Sequence, residues 1–121
     1  MKKFLMGLIV LTLFSCNYLK QGIEVKIDND SNETITDIVF TTSENLETIE
    51  FESIDTNKSV KGFLSMKENK VDGTYLIKLT RKNGKIESQE IGYYSNGIPL
   101  EEIIEIKITN DSIIRLVEKI D

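Results

Sequence analysis

A chain with no histidine, no tryptophan and a single cysteine, Cys16, has few routes to covalent chemistry. A serine or cysteine nucleophile is normally activated by a neighbouring base, most often histidine, and that base is missing. Zinc sites built from histidine and cysteine are excluded on the same count. A serine–lysine pair is formally open, but no spacing marks one. Carboxylates do come in pairs: Glu50 with Glu52, Glu87 with Glu90, Glu101 with Glu102. Glycosidases use two carboxylates across a sugar cleft, usually lined with aromatics. Here the acids alternate with apolar residues, the pattern of the wet face of a sheet. The chain reads as non-enzymatic and without a cofactor.

Two further clusters could bind rather than react. Asp28-Asn29-Asp30-Ser31-Asn32 begins like a calcium loop, with oxygen ligands at alternate positions. The EF-hand form needs Gly at its sixth position and Glu at its twelfth, and those positions hold Glu33 and Val39. That leaves an irregular calcium site on Asp28, Asp30 and Glu33, with a plain turn as the simpler reading. Tyr93-Tyr94 stands beside Ser95-Asn96-Gly97 and is the main aromatic concentration. Tyrosines near a loop add contact area at low entropy cost, so Tyr93, Tyr94 and Asn96 form the candidate contact surface. Strand alternation turns one of the adjacent tyrosines inward and the other out.

The position of Cys16 is informative. Lys2 and Lys3 precede an apolar stretch over residues 4–14, interrupted by Gly7 and Thr12. This is a signal-peptide layout, a charged head and an apolar middle of about 7–15 residues before a small residue. A spanning helix needs roughly 20 apolar residues, and polar sequence begins at Asn17. Leu13-Phe14-Ser15-Cys16 resembles the lipobox of bacterial lipoprotein precursors, Phe14 being bulkier than is usual at its position. The resemblance implies cleavage before Cys16, diacylglycerol on its sulfur and acylation of the new amino terminus in many bacteria. Two or three acyl chains hold a protein stably at a membrane where one holds weakly. Residues 1–15 are thus expected to be a cleaved leader, 16–22 a lipidated tether, and 23–121 the folded domain. The expected location is the cell envelope, on the membrane.

The leader holds two basic residues and no acidic ones, which leaves 13 basic against 20 acidic residues in the mature chain, a net charge of −7. Nucleic-acid binding rests on neutralising phosphates, so a nucleic-acid partner is not expected. The surplus would also oppose an anionic bilayer, so membrane contact must come from lipid. No cysteine remains for a disulfide, and packing with hydrogen bonds must hold the fold.

The elements that position these residues read as strands. Residues 23–27 alternate apolar and charged side chains and end in the Asp/Asn-rich turn. Residues 34–42 are β-branched, but Ile35, Ile38 and Phe40 change phase, which a bulge near Asp37 reconciles. Further strands are expected over 46–54, 60–66, 74–81, 86–94, 103–109 and 113–120. Asn83-Gly84 predicts a two-residue type I′ hairpin, although the apolar pairing across it fits imperfectly and leaves a bulge or longer loop open. Asn110-Asp111 is a second candidate tight turn. A helix beginning at Glu101 is the weaker alternative, given the isoleucine content.

About seven or eight short strands without a helix predict a small antiparallel β-sandwich. Residues 23–59 resemble an Ig-like module of bacterial surface proteins: a strand, an Asn-rich turn, Ile35-x-x-Ile38-x-Phe40, and a strand leading to Lys58-Ser59. The resemblance implies a sandwich and carries no functional residue. The expected function is a binding module for an envelope protein or glycan. The alternative is an inhibitor or sequestering protein acting on a basic protein.

Overall fold

The computed structural model describes residues 21–116. The leader, Cys16 and the tether up to residue 20 lie outside the described residues, as does the predicted end of the last strand beyond 116. Nine strands form in chain order: β1 Gly22–Asn29, β2 Ile35–Thr42, β3 Thr48–Ile54, β4 Ser59–Ser65, β5 Gly73–Thr80, β6 Ile86–Ser95, β7 Ile98–Pro99, β8 Ile103–Ile108 and β9 Ile113–Leu116. Eight of them are the expected strands, and the start of β8 rules out the helix alternative over these residues. The addition is β7, two residues long. It lies at a sheet edge, where Pro99 removes no ladder hydrogen bond.

The strands make two sheets, ordered β4-β1-β8-β9 and β3-β2-β5-β6-β7. All pairings are antiparallel except β1 with β8, which run parallel in the register Val25↔Ile104 and Ile27↔Ile106. A parallel pair needs a long crossover, and the chain between residues 30 and 102, the whole of the second sheet included, supplies it. The Ig-like cadence of 23–59 thus divides between layers, β1 and β4 in one sheet and β2 and β3 in the other.

Alternation explains which face each strand buries. Ile23, Val25 and Ile27 of β1 and Ile104, Ile106 and Ile108 of β8 are within 1 % of complete burial. Opposite them sit Ile35, Ile38 and Phe40 of β2 and Tyr75, Ile77 and Leu79 of β5, all fully buried. Each such side chain contributes about 1.5–3 kcal/mol of transfer free energy. Two bulges keep this phase. In β2 the register against β5 shifts between Thr36 and Val39, at Asp37 with φ 50°. Ile35 and Ile38, three apart, therefore both face the core. In β6 the register shifts opposite Tyr75, and Ile91 and Tyr94 both turn inward.

At one end of the sandwich two buried polar side chains bind the layers. Asn29 Nδ2 donates to the carbonyls of Glu33 and Ile54, both at 2.8 Å, while its Oδ1 accepts from the Ser31 amide at 3.0 Å. Arg81, 5 % exposed, donates through Nε and Nη2 to Glu87 Oε2 at 3.1 and 2.9 Å and through Nη1 to the Thr109 carbonyl at 2.6 Å. A buried guanidinium is tolerated only when paired and hydrogen-bonded, and this one joins the β5–β6 hairpin to the β8–β9 turn.

The turns revise one expectation. Arg81 and Lys85 close the β5–β6 hairpin by an amide–carbonyl bond of 2.8 Å, and the Gly84 amide donates to the Arg81 carbonyl. Only Gly84 of the Asn83-Gly84 pair has positive φ. This is a three-residue loop with glycine in the left-handed position, not a type I′ turn. The type I′ requirement, positive φ at both central residues, is met instead at Asn96 (52°) and Gly97 (74°) between β6 and β7. There a Cβ on Gly97 would lie 1.9 Å from the Asn69 carbonyl oxygen, whereas one on Gly84 would meet nothing within 4 Å.

The two glycines therefore differ in cost. Gly84→Ala should destabilise by about 1 kcal/mol, the strain of a left-handed alanine, and Gly97→Ala by roughly 3 kcal/mol or more because the backbone must also move. Urea unfolding of both variants checks this, and equal losses would show that the Gly97 contact is relieved freely.

Candidate functional site

The end at which β1 begins is built from four connecting segments: 43–47, 66–72, 96–97 and 100–102. Their polar residues look solvated in sequence, yet Asn69 is buried and Glu44 and Glu101 are half-buried. Asn69, 6 % exposed, places Nδ2 3.1 Å from Thr42 Oγ1, 3.1 Å from Glu44 Oε1 and 3.3 Å from the Tyr94 hydroxyl. Tyr94 donates to the same Glu44 oxygen at 2.7 Å. Glu44 Oε2 accepts the Lys70 amide at 3.4 Å. Asp72 Oδ1 accepts the Asn96 amide at 2.8 Å and the Ser95 hydroxyl at 3.3 Å, and the Gly97 amide donates to the Val71 carbonyl at 2.9 Å. Three loops are thus locked to one another and to the core tyrosine.

Beneath this network lie the aromatic rings. Tyr75 stacks on Phe40 with centroids 5.8 Å apart and tilts against Tyr94 at 5.3 Å. Its hydroxyl points to Met66 Sδ at 3.7 Å. Burial, reinforced by the charge of Glu101, raises the Tyr75 phenol well above its ordinary value, so it stays protonated at any physiological pH. Glu44 is shifted the other way. The Tyr94 hydroxyl, then the Asn69 amide, hold its carboxyl below the usual value of 4.5.

Over this frame lies an open groove of about 640 Å³, its floor formed by Met66, Asn69 and Gly97 and its walls by Lys67, Lys70, Ile98, Leu100, Glu101 and Glu102 among others. Gln21 and Gly22 also line it, so the groove sits where the chain enters the domain. Tyr93, Ile98 and Leu100 are 64 %, 64 % and 55 % exposed. Ser95 pairs with Ile98, and strand alternation places Tyr93 and Ile98 on one outer face. The arrangement offers apolar area, amides and carboxylates held in place; Tyr75 and Glu44 are tuned away from proton transfer near pH 7.

The predicted contact residues are divided by this geometry. Tyr93 is exposed on the outer face, Tyr94 is 1 % exposed and anchors the loops from within, and Asn96 caps the turn and lines the groove. Of the calcium candidates, Asp28 accepts the Ser59 hydroxyl and lies 3.7 Å from Lys26 Nζ. Burial opposes its charge, but the hydrogen bond from Ser59, one shared with Glu105, and the charge of Lys26 together outweigh it and hold its carboxyl below the ordinary value. Asp30 faces Lys107 at 3.9 Å and Glu33 faces Arg81 at 3.9 Å. Among the described residues no three acidic, histidine or cysteine side chains come together to hold a metal ion. Of the acidic pairs, Glu50 and Glu52 share the exposed face of β3, whereas the other two divide: Glu87 pairs with Arg81 while Glu90 is exposed, and Glu101 pairs with Arg115 while Glu102 stays exposed. Sequence reasoning missed Glu44, Asn69 and the apolar rim of Ile98 and Leu100. The signal for the rim was an apolar run, Ile98-Pro99-Leu100, directly after an Asn-Gly turn.

No family model and no curated protein sequence matches the chain. An NMR structure of a protein from Eubacterium rectale is similar in fold, with a TM-score of 0.60 at 10 % identity, covering 84 % of this chain and 95 % of that one.

The depressed Glu44 carboxyl makes loop stability depend on pH. A group whose folded pKa lies below its unfolded value stabilises the fold above the unfolded value and loses that contribution as pH falls through the folded one. The stability advantage of the native protein over Glu44→Gln should therefore be full at pH 7 and shrink as pH drops below 4.5. Urea midpoints of both proteins across this range check it. An advantage that persists unchanged into strong acid would show that the Glu44 charge is not what the Tyr94 hydroxyl stabilises.

Proposed function

We propose that this chain is a bacterial envelope lipoprotein, acylated on Cys16, whose sandwich is a non-enzymatic interaction module for a protein or glycan partner. The observation that carries the binding part of this reading is the groove rimmed by exposed Ile98 and Leu100 on a hydrogen-bonded frame, with exposed Tyr93 on the adjoining outer face. Monomeric soluble proteins keep contiguous exposed apolar area small, and larger patches mark interaction sites. Composition supports the non-enzymatic part, since no histidine is available as a base.

The anchor rests on the leader and lipobox. Gln21 lines the groove, and four residues separate it from Cys16, five backbone steps with a reach of at most about 18 Å. A lipid on Cys16 keeps the groove end close to the bilayer. The partner is then met at the membrane surface rather than far out in the envelope. A second reading, an inhibitor or sequestering protein for a basic target, draws support from the −7 charge of the mature chain.

Intact mass and detergent partitioning of the native protein beside Cys16→Ala test the anchor. The native form should gain acyl mass and enter the detergent phase, and the variant should do neither. A native protein recovered soluble and unmodified would remove the anchor and with it the expected site of action.

A further inference from the structure

The two ends of the sandwich differ in charge and in apolar exposure, in a way the core does not require. The four connecting segments at the groove end carry six carboxylates, Glu44, Glu47, Glu68, Asp72, Glu101 and Glu102, against the two lysines Lys67 and Lys70. The turns at the opposite end, 30–34, 55–58, 81–85 and 109–112, carry four acids and four bases. Ten large apolar side chains are exposed among the described residues. Six of them, Leu46, Val71, Tyr93, Ile98, Leu100 and Ile103, stand in or beside the groove-end segments, while Ile86 and Ile114 stand beside the opposite turns.

An acidic surface would ordinarily be spaced with basic residues and kept free of apolar patches to remain soluble. Here apolar and acidic groups share one end. An anionic bilayer fits this surface poorly, because each carboxylate opposes the negative leaflet. A partner with leucine-like side chains and lysine or arginine on the same segment matches both properties at once. We infer that the groove end is a docking surface for a cationic, amphipathic protein segment. This rests on the reading of the domain as an interaction module and names the chemistry of its partner. The apolar side chains of the segment cover Ile98 and Leu100, and its cations meet Glu102, which lines the groove together with Lys67 and Lys70, and Glu68, exposed on the neighbouring 66–72 segment. Glu44, Asp72 and Glu101 are already engaged, by Tyr94, by Ser95 and Asn96, and by Arg115 respectively, and act by field rather than by contact.

The test uses the full chain carrying Cys16→Ala, so that acylation and docking are measured separately. Two synthetic peptides of equal charge serve as probes, one of lysine and leucine and one of lysine and serine, together with vesicles of phosphatidylethanolamine and phosphatidylglycerol. Affinity is read by calorimetry and the site by backbone hydrogen exchange. The lysine–leucine peptide should bind and protect 66–72 and 96–102, and should bind at least about tenfold more weakly after Ile98→Ser with Leu100→Ser. Ile86→Ser, at the opposite end, should change nothing. Raising the salt from roughly 0.05 to 0.5 M should weaken binding by a similar factor, because exposed charge pairs are screened. Thermal unfolding checks that each variant is folded. Equal binding of the lysine–serine peptide, equal loss in Ile86→Ser, or undiminished binding by the double variant overturns the inference. Protection of 96–102 by vesicles but not by peptide assigns the surface to lipid and overturns it too. An absent acyl mass on the native Cys16 overturns the anchor alone, so the two failures are told apart.

Discussion

β1 is a strand that must be covered on both edges and one face, and the rest of the fold follows from how that is done. Its alternate residues Ile23, Val25, Ile27 and Asn29 are all buried. Antiparallel β4 covers one edge and parallel β8 the other, so the first strand of the domain cannot be completed until nearly the last has been made. Contacts of such sequence separation are slow to form, because loop closure must precede the gain from pairing. The same arrangement fixes the polarity of the molecule. β1 enters at the groove end and leaves at the Asn29 end, so the segments that build each end are decided by the direction of one strand.

Without a disulfide, the ends are closed by buried polar groups, and the two ends use different chemistry. Asn29 and Arg81 turn their donors onto backbone carbonyls and one carboxylate, which ties strand ends of both sheets together. At the other end Asn69, Thr42, Tyr94 and Glu44 share hydrogen bonds among side chains. Backbone carbonyls cannot move far, so the first arrangement is a clamp. Side-chain acceptors hold loops whose outer residues remain in solvent, so the second supports a surface. Asn69 enters this network through Nδ2 alone, its Oδ1 being buried without a hydrogen-bond partner among the described residues, and Tyr94 is the element that roots the loops in the core, through its ring against Tyr75 and its hydroxyl on Glu44.

The strands were legible because alternation survives in nearly all of them, and even the β2 bulge showed itself as a three-residue step from Ile35 to Ile38. What could not be read was how distant segments meet. Asn83-Gly84 and Asn96-Gly97 are the same dipeptide, yet only the second forms the turn with both φ values positive. At the first, Arg81 is drawn inward to Glu87 and Thr109, and the longer loop follows from that burial. At the second, the Asn69 carbonyl leaves room only for glycine. Both constraints come from residues far along the chain. Asn69 and Glu44 were hidden for the same reason: each is a loop residue of ordinary type, made structural by partners 25 to 50 positions away. The tyrosine pair was half legible, since alternation requires one to be inside without saying that the buried one organises the loops.

Apolar area placed beside carboxylates is a costly combination for a protein to keep, because it invites association with whatever is both greasy and basic. The core does not need it. Ile98 and Leu100 could be polar without loss of burial, since they are mostly exposed, and β7 would still hold through the Tyr94–Pro99 and Ser95–Ile98 pairings. The opposite end shows that the same chain closes its turns with balanced charge. Selection for solubility alone would push both ends toward that solution. An end that departs from it, stands on a rigid frame, and lies next to the point where the chain enters the domain is better explained by contact than by folding.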